Sequence, residues 1–455
     1  MRGAAVWFAA AAGLGCLHPI CGGKTPVVPE PSAASIAALP PPAGEHRFLL
    51  GINEALAVPS KHRSKGDLPR IEQALARDME SVSWLGADVV RGHTGNFPAT
   101  SCSDLVANAA AMDDADAWVR AAAGRVALVG MVSPWPGNQT GNATDHYLPD
   151  DLDAYRACVR GIVERYDGDG FDDMPGLVGK VAYWEVDNEP DLKNTNVARG
   201  AERTYNPRQF ALPSEYARVL VASSAAIREA DPTAKVLGLG LYRPHAANGR
   251  GYLRDVVAHP GALDAIDIVS IHTYAPDDGV LLASGIVATR LAIPGKPLWV
   301  TETNADDLQG EAEQARKLAA VVGRAAIAGA EALFWHTLAD PPANVDREGP
   351  GGMPNSSLFR SLPGGNTEPK PAGQAFRSLS ARLRDDNLVG AVAEGAGAAR
   401  LRSGAILLFG GTMPLQAGQS GMNLVTGQAI APGAPATAPA WIFPPAPLGQ
   451  GVTPD

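Results

Sequence analysis

Cysteine is scarce in this chain. The 455 residues include four cysteines, Cys16, Cys21, Cys102 and Cys158, and no two of them form a Cys-x-x-Cys pair. Four cysteines are too few for a disulfide scaffold, and their spacing argues against a zinc site built from thiolates. We therefore predict a fold that a hydrophobic core stabilises, with no metal ion and no cofactor. Cys102 and Cys158 could pair in an oxidising compartment, but nothing in the sequence shows that they approach each other.

An excess of basic residues is also missing. Lys and Arg total 38 against 48 Asp and Glu, so the formal net charge is −10. Because nucleic acids and anionic membranes bind basic surfaces, this balance argues against both as binding partners. Apolar residues make up 45% of the chain, which is ordinary for a globular protein and excludes general disorder.

The N-terminal apolar run, Ala4 to Leu14, is too short to span a bilayer. Because it follows the positive charge of Arg2, it is typical of the core of a signal peptide. The sequence Gly13-Leu14-Gly15-Cys16 resembles a bacterial lipobox, which implies lipidation of Cys16. We predict an exported bacterial protein, either an outer-membrane lipoprotein or a periplasmic or extracellular one. A buried N-terminal helix is the remaining alternative.

The composition divides the chain into four segments. Residues 1–21 form the signal peptide and lipobox region, and residues 22–46 form a Pro- and Ala-rich linker. Residues 47–385 repeat an apolar β-type run, a turn and an amphipathic helix. Residues 386–455 carry short β-type runs separated by Gly, Pro and Ser, which predicts a small β-rich domain.

The repeat over residues 47–385 predicts an α/β fold, a (β/α)8 TIM barrel. Its apolar runs are nearly continuous, as expected for parallel strands buried on both faces. The predicted strands are 47–53, 87–92, 125–132, 180–186, 235–241, 266–272, 297–302 and 331–336, and the predicted helices are 67–85, 103–123, 151–166, 213–230, 252–258, 311–328 and 371–384. A doubly wound sheet that binds a dinucleotide is less favoured, because no Gly-rich phosphate loop follows the first strand.

Two carboxylates stand at the carboxyl ends of predicted strands. Glu189 follows strand four in Asn188-Glu189-Pro190, and Glu302 ends strand seven in Thr301-Glu302-Thr303. In a (β/α)8 barrel these ends form the active-site rim. Two facing carboxylates are the groups that hydrolyse glycosides, one as the acid that protonates the leaving oxygen and the other as the nucleophile. Glu185 is a competing carboxylate, but it lies farther from the rim.

Further polar and aromatic side chains mark the other strand ends. Each of them has a structural alternative, in the core or in a salt bridge at the barrel mouth. Trp335 and Trp135 could offer ring faces to a sugar. The candidate substrate-binding residues are Asn188, Arg91, His93, His272, Tyr274, Trp335, Trp135 and Glu54.

The pair formed by Asn188-Glu189-Pro190 and Glu302 resembles the clan A glycoside hydrolases, most of all families 39 and 5. The resemblance covers about residues 47–385. It implies Glu189 as acid/base, Glu302 as nucleophile and Asn188 as a hydrogen-bond partner of the sugar 2-hydroxyl. The implied function is an exported retaining glycoside hydrolase that cleaves an oligosaccharide or polysaccharide by double displacement.

The same resemblance assigns roles at two other strands. It implies that Arg91 holds the nucleophile in its ionised form, because a nearby cation favours a carboxylate. It also implies that His272 or Tyr274 hydrogen-bonds the nucleophile or the sugar.

Three alternatives stay open at this point. The chain could be a non-catalytic carbohydrate-binding lipoprotein on a barrel scaffold. It could be a metal-dependent hydrolase, because His93, His272 and His336 all stand at strand ends. Separately, the acidic run 167–173 is either a calcium loop or a solvated loop, since its spacing departs from the EF-hand pattern.

Overall fold

The computed structural model describes eleven segments of the chain. They are residues 47–53, 68–92, 109–134, 147–149, 151–191, 211–274, 278–340, 356–362, 366–386, 388–392 and 397–445. Within these segments, no helix is both long and apolar enough to cross a membrane.

Eight parallel strands close into a barrel in the order of the sequence, and β8 pairs with β1. The strands are β1 (Leu49–Asn53), β2 (Val89–Arg91), β3 (Ala127–Val132), β4 (Tyr183–Val186), β5 (Lys235–Leu241), β6 (Ile268–His272), β7 (Leu298–Thr303) and β8 (Ala332–His336). Seven of these strands lie within predicted apolar runs, and β7 extends one residue beyond its run, to Thr303. The (β/α)8 prediction is confirmed.

Eight helices are described around this barrel. They are α1 (Leu68–Leu85), α2 (Ala109–Ala122), α3 (Leu152–Glu164), α4 (Pro213–Ala230), α5 (Ala247–Val257), α6 (Val280–Ala292), α7 (Glu311–Ile327) and α8 (Pro371–Leu383). The sequence pattern did not predict α6, because apolar residues occupy most of its faces and leave no clear amphipathic period. It also placed the start of α5 five residues too late.

Alternate residues of the strands fill the interior of the barrel. One apolar cluster in the interior consists of Val89, Val129, Leu237, Ile268, Trp299, Ala332 and Phe334. Gly51 leaves room for the Phe334 ring, since a Cβ at Gly51 would lie 2.6 Å from it. The strand residues between these inward-facing ones face the helices. They belong to the larger hydrophobic core between the strands and the surrounding helices.

A small β-rich region follows the barrel, as predicted. The short strands after β8 are β9 (Phe359–Ser361), β10 (Thr367–Pro369), β11 (Leu388–Ala391), β12 (Ala398–Leu401), β13 (Ile406–Leu408), β14 (Thr412–Met413), β15 (Ser420–Asn423), β16 (Ala436–Thr437) and β17 (Ala440–Phe443). Five of them form an antiparallel sheet in the order β11-β12-β13-β17-β15. The Phe409 ring anchors this region to α7, where it packs against Gly323 and lies 5.1 Å from the Arg324 guanidinium carbon.

The helix α8 completes the outer ring by packing against both α7 and α1. The side chains of Ser380 in α8 and of Arg384, the residue after its end, donate hydrogen bonds to the carbonyl oxygen of Gly86. Just before α8, the buried ammonium of Lys370 lies 3.2 Å from Asp307 and 3.1 Å from Asp340, at the ends of β7 and β8. The segment after β8 therefore contacts both the first helix of the barrel and the segments that follow its last two strands.

One cysteine in this part of the chain is oxidised. Cys158 in α3 is disulfide-bonded. Its partner is outside the described residues, where Cys16, Cys21 and Cys102 all lie. The predicted Cys102–Cys158 pair thus stays a prediction.

Candidate active site

Toward the carboxyl ends of the strands, beyond the apolar cluster that includes Phe334 and Trp299, the barrel interior is filled by polar side chains. Arg91, Glu185 and Thr301 form a fully buried polar layer, and Asn53, His272 and Glu302 lie around it. This arrangement follows from strand alternation, because the residue two positions after an inward-facing residue faces inward again. The strand β7 departs from this alternation. Its pairing with β6 is irregular between Val300 and Glu302, and the consecutive residues Thr301 and Glu302 both make hydrogen bonds inside the barrel.

The guanidinium of Arg91 is the centre of this network. Its Nε donates to Glu185, while Nη1 donates to the side-chain oxygen Oδ1 of Asn53 at 3.1 Å and to Glu302 Oε2 at 3.3 Å. Nη2 donates to Asn188 Oδ1 at 2.8 Å. Burial lowers the pKa of Arg91, but the ion pairs with Glu185 and Glu302 outweigh burial and raise it overall. Arg91 is therefore a permanent cation between two buried carboxylates.

The carboxylate of Glu302 receives two kinds of support. Its Oε2 accepts a hydrogen bond of 2.9 Å from Asn53 Nδ2 in addition to the contact with Arg91. Donors directed at a carboxylate favour its ionised form. The assignment of Glu302 as nucleophile stays a prediction, and these donors are what such a role requires.

The carboxylate of Glu189 has a different environment. Its Oε1 lies 3.0 Å from His272 Nδ1, and His272 Nε2 lies 3.0 Å from the Thr301 hydroxyl. Carboxylate oxygens of Glu189 and Glu302 lie within 4.8 Å of each other and of a His272 ring nitrogen. Glu189 is thus next to Glu302 but without the guanidinium contact that Glu302 has.

The backbone after β4 explains how neighbouring residues face one site. Asp187 and Glu189 have φ values of 64° and 50°, in the left-handed region that few non-glycine residues adopt. Hydrogen bonds stabilise this turn, because the Asp187 carboxylate accepts from Ser133 at 3.0 Å, from Tyr147 at 2.5 Å and from its neighbouring Asn188 amide at 2.8 Å. Strained backbone of this kind clusters at functional sites.

Asp191 connects the same turn to β5. Its buried carboxylate accepts from the backbone amides of Tyr242 at 2.7 Å and Arg243 at 3.4 Å. Burial raises the pKa of Asp191 to about 6, and the charge of Glu189 adds to this effect. The backbone hydrogen bonds oppose it.

This shift predicts a pH-dependent stability. Between about pH 4 and pH 6 the unfolded chain has lost the Asp191 proton and the folded chain has kept it, so the free energy of unfolding should fall by about 2–3 kcal/mol as the pH rises. Asp191→Asn should remove this fall in urea denaturation curves. The exposed control Asp255→Asn should keep it, and an equal fall in Asp191→Asn would contradict the assignment.

The structure places the other predicted residues as follows. Asn188 contacts Arg91, and the Tyr274 ring lies 6.2 Å from the His336 ring in an edge-on arrangement. Glu54, His93, Trp135 and Cys16 lie outside the described residues.

Trp335 does not have the predicted place. Its ring has no exposed surface, packs in the outer core and donates its N–H to the carbonyl of Ser356 at 2.8 Å. A ring without an exposed face cannot stack against a sugar, so this placement does not support the predicted role. His336 has the inward parity of Ala332 and Phe334 and is the β8 residue beside Tyr274.

Several site residues were not singled out by the sequence analysis. Asn53, Thr301 and Asp187 each make hydrogen bonds to a site residue. Strand parity could have indicated Asn53, since it is two positions after the inward-facing Gly51. The contacts of Asp187 depend on a left-handed turn, which no local pattern signals.

Among the described residues, two side-chain groups have the spacing of a metal site. One is Glu189, His272 and Glu302, and the other is Glu164, Asp167 and Asp169 at the opposite end of β4. In the first group Arg91 already lies 3.3 Å from Glu302 Oε2, so its charge opposes a second cation there. In the acidic run, the Asp173 carboxylate accepts from the backbone amides of Gly168 and Gly170, as a solvated loop also would. Calcium binding there stays a prediction.

The fold and site together define a class of protein, a (β/α)8 barrel with a carboxylate pair at the carboxyl ends of β4 and β7. Neither family models nor curated sequences match the chain.

Solved structures do match it. A family 39 glycoside hydrolase from Bacteroides cellulosilyticus WH2 has a TM-score of 0.56 at 14% identity, covering 89% of this chain and 82% of that one. A β-xylosidase from Caulobacter crescentus has a TM-score of 0.51 at 16% identity, covering 82% and 74%. A family 51 α-L-arabinofuranosidase from Bifidobacterium longum has a TM-score of 0.55 at 12% identity, covering 89% and 97%. At these identities the comparison shows that this chain shares their fold.

Proposed function

We propose that this protein is a retaining glycoside hydrolase with Glu302 as nucleophile and Glu189 as acid/base. The observation that carries the proposal is the separation of the two carboxylates, whose oxygens approach within 4.8 Å. Retaining enzymes place the two groups about 5–5.5 Å apart, whereas inverting enzymes need about 6.5–9.5 Å to admit a water molecule. The structures that share this fold include glycosidases of several families, which supports a carbohydrate substrate.

The different environments of the two carboxylates support these roles. Glu302 is held by Arg91 and Asn53, so its ionised oxygen attacks the anomeric carbon and forms a glycosyl ester. The proton of Glu189 moves to the leaving oxygen as the glycosidic bond breaks. In the second step Glu189 takes a proton from water, the water oxygen attacks the anomeric carbon, and the Glu302 carboxylate is released.

The proposed location is outside the cytoplasm. The disulfide of Cys158 supports an oxidising compartment, because cytosolic thiols are kept reduced. The lipobox-like sequence before Cys16 supports a lipid anchor. Labelled palmitate should enter the wild-type protein in a bacterial host and should be absent from Cys16→Ser.

The proposal is tested by hydrolysis of nitrophenyl glycosides. The purified protein should release nitrophenol from an α- or β-glycoside in a panel that covers xylose, mannose, glucose and arabinofuranose. Proton NMR of the first-formed sugar should show the anomeric configuration of the substrate. Inversion would contradict the double-displacement mechanism. Sugar binding without hydrolysis, on this panel and on polysaccharides, would instead support the alternative of a carbohydrate-binding lipoprotein.

A further inference from the structure

A chain of three hydrogen bonds crosses the barrel below the proposed acid/base. The Thr301 hydroxyl donates to Glu185 Oε1 at 3.0 Å and lies 3.0 Å from His272 Nε2. On the other side of the imidazole, His272 Nδ1 lies 3.0 Å from Glu189 Oε1. Thr301, His272 and Glu185 have no exposed surface, so water does not compete for these contacts.

The direction of the chain follows from counting hydrogens. A threonine hydroxyl has a single hydrogen, and here that hydrogen is given to Glu185. Glu185 is an acceptor because its other oxygen forms an ion pair with Arg91. Thr301 Oγ1 must therefore accept from His272, which places a hydrogen on Nε2.

We propose that Thr301 fixes His272 as the neutral Nε2–H tautomer and thereby holds the acid proton on Glu189. Nδ1 then presents a lone pair to Glu189 Oε1, and it lies 3.8 Å from Glu302 Oε2. Two acceptor atoms 3.0 Å apart, Nδ1 and Oε1, repel each other unless a proton lies between them. Glu189 supplies this proton, since Glu302 already has the donors Asn53 and Arg91.

This inference rests on the proposed function and makes Thr301 a positioning residue. It acts through His272, without contact to the reacting atoms. The described charged groups that face His272 come from three strands, and they are Glu185 and Glu189 at β4, Glu302 at β7 and, across the carboxylates, Arg91 at β2. Without the Thr301 hydroxyl, the imidazole is free to carry its hydrogen on Nδ1. It would then donate to an ionised Glu189, and the acid proton would be lost.

The test uses the dependence of rate on the leaving group. Thr301→Val should lower kcat/KM by about 10²-fold for a glycoside with a poor leaving group, within the range that general acid catalysis contributes. It should have little effect on the dinitrophenyl glycoside of the same sugar, whose departure needs no proton. Thr301→Ser keeps the hydroxyl and should behave as the wild type with both substrates.

Thr303→Val is the matched control. Thr303 is buried on the same strand, and its hydroxyl donates to the carbonyl of Thr273 at 2.7 Å without touching a carboxylate. Any effect of Thr303→Val should be the same for both leaving groups. An equal loss with both leaving groups in Thr301→Val would mean a merely structural role and would overturn the inference.

The tautomer is measurable directly. In ¹⁵N NMR spectra of histidine-labelled protein, the His272 signal, identified by its absence from His272→Gln, should show hydrogen on Nε2 and none on Nδ1. Hydrogen on both nitrogens, or on Nδ1 alone, would overturn the inference. Its failure is distinct from failure of the proposed function, because in the latter case the wild-type protein hydrolyses no glycoside.

Discussion

Replacing Glu302 by Gln should lower kcat by about 10⁴-fold or more, because an amide cannot form the glycosyl ester. The fold should be unaffected, since an amide has nearly the shape of the carboxylate. The measurement is kcat on the best substrate of the panel, with circular dichroism and thermal unfolding as checks of the folded state. Glu229→Gln is the control, because Glu229 is half exposed and pairs with Arg156 on the surface.

A second variant connects this loss to the position of Glu302. Glu302→Ala leaves space where the carboxylate was, and added azide should restore turnover by attacking the anomeric carbon directly. The product should be a glycosyl azide of inverted configuration. Full activity of Glu302→Gln, or rescue that yields a product of retained configuration, would contradict the assignment of the nucleophile.

Replacing Arg91 by Met should destabilise the folded protein by about 3–5 kcal/mol, because it removes the cation that pairs with the buried carboxylates of Glu185 and Glu302. The loss should be smaller at low pH, where protonation removes the uncompensated charge. Urea denaturation at pH 7 and at pH 4 measures both effects. Activity should fall as well, since Glu302 loses one of its two described donor side chains.

The control for this variant is Arg254→Met. Arg254 is 76% exposed and pairs with its neighbour Asp255, so its loss should change the free energy of unfolding by no more than about 0.5 kcal/mol. Combining Arg91→Met with Glu185→Leu should recover part of the stability, because an apolar pair replaces the buried ion pair. Wild-type stability in Arg91→Met would show that Arg91 does not compensate these charges.

The barrel could be predicted because parallel strands that are buried on both faces have nearly continuous apolar runs. KVLGLGL and ALFWH at β5 and β8 are examples. The helix α6 was missed for the same reason, since a helix that is apolar on most faces lacks the amphipathic signal. The periodicity of apolar residues reveals a helix only when one face is buried and the opposite face is exposed. Most of α6 is apolar and buried, so this contrast is weak.

The site could be predicted only where side chains follow strand ends. Glu189, Glu302, Asn188 and Arg91 come together because parallel strands end on one rim. Trp335 was proposed from its residue type, whereas the alternation set by Phe334 places Trp335 in the outer core and gives His336 the inward parity. The contacts of Asp187 could not be foreseen, since they require Tyr147 and a left-handed turn, both of which depend on the complete fold.

The contact between β1 and β8 has a consequence for the order of folding. These strands are the first and last of the barrel, and α8, which covers the junction between α1 and α7, comes later still. Contacts between distant parts of a chain form slowly, because the loop between them must close first. The barrel therefore cannot close during synthesis before β8, which ends at His336, has been made, and α8 can cover the junction only later. Until then the apolar edges of β1 and β8 are unpaired, and these are the surfaces through which a partly folded chain would aggregate or bind a chaperone.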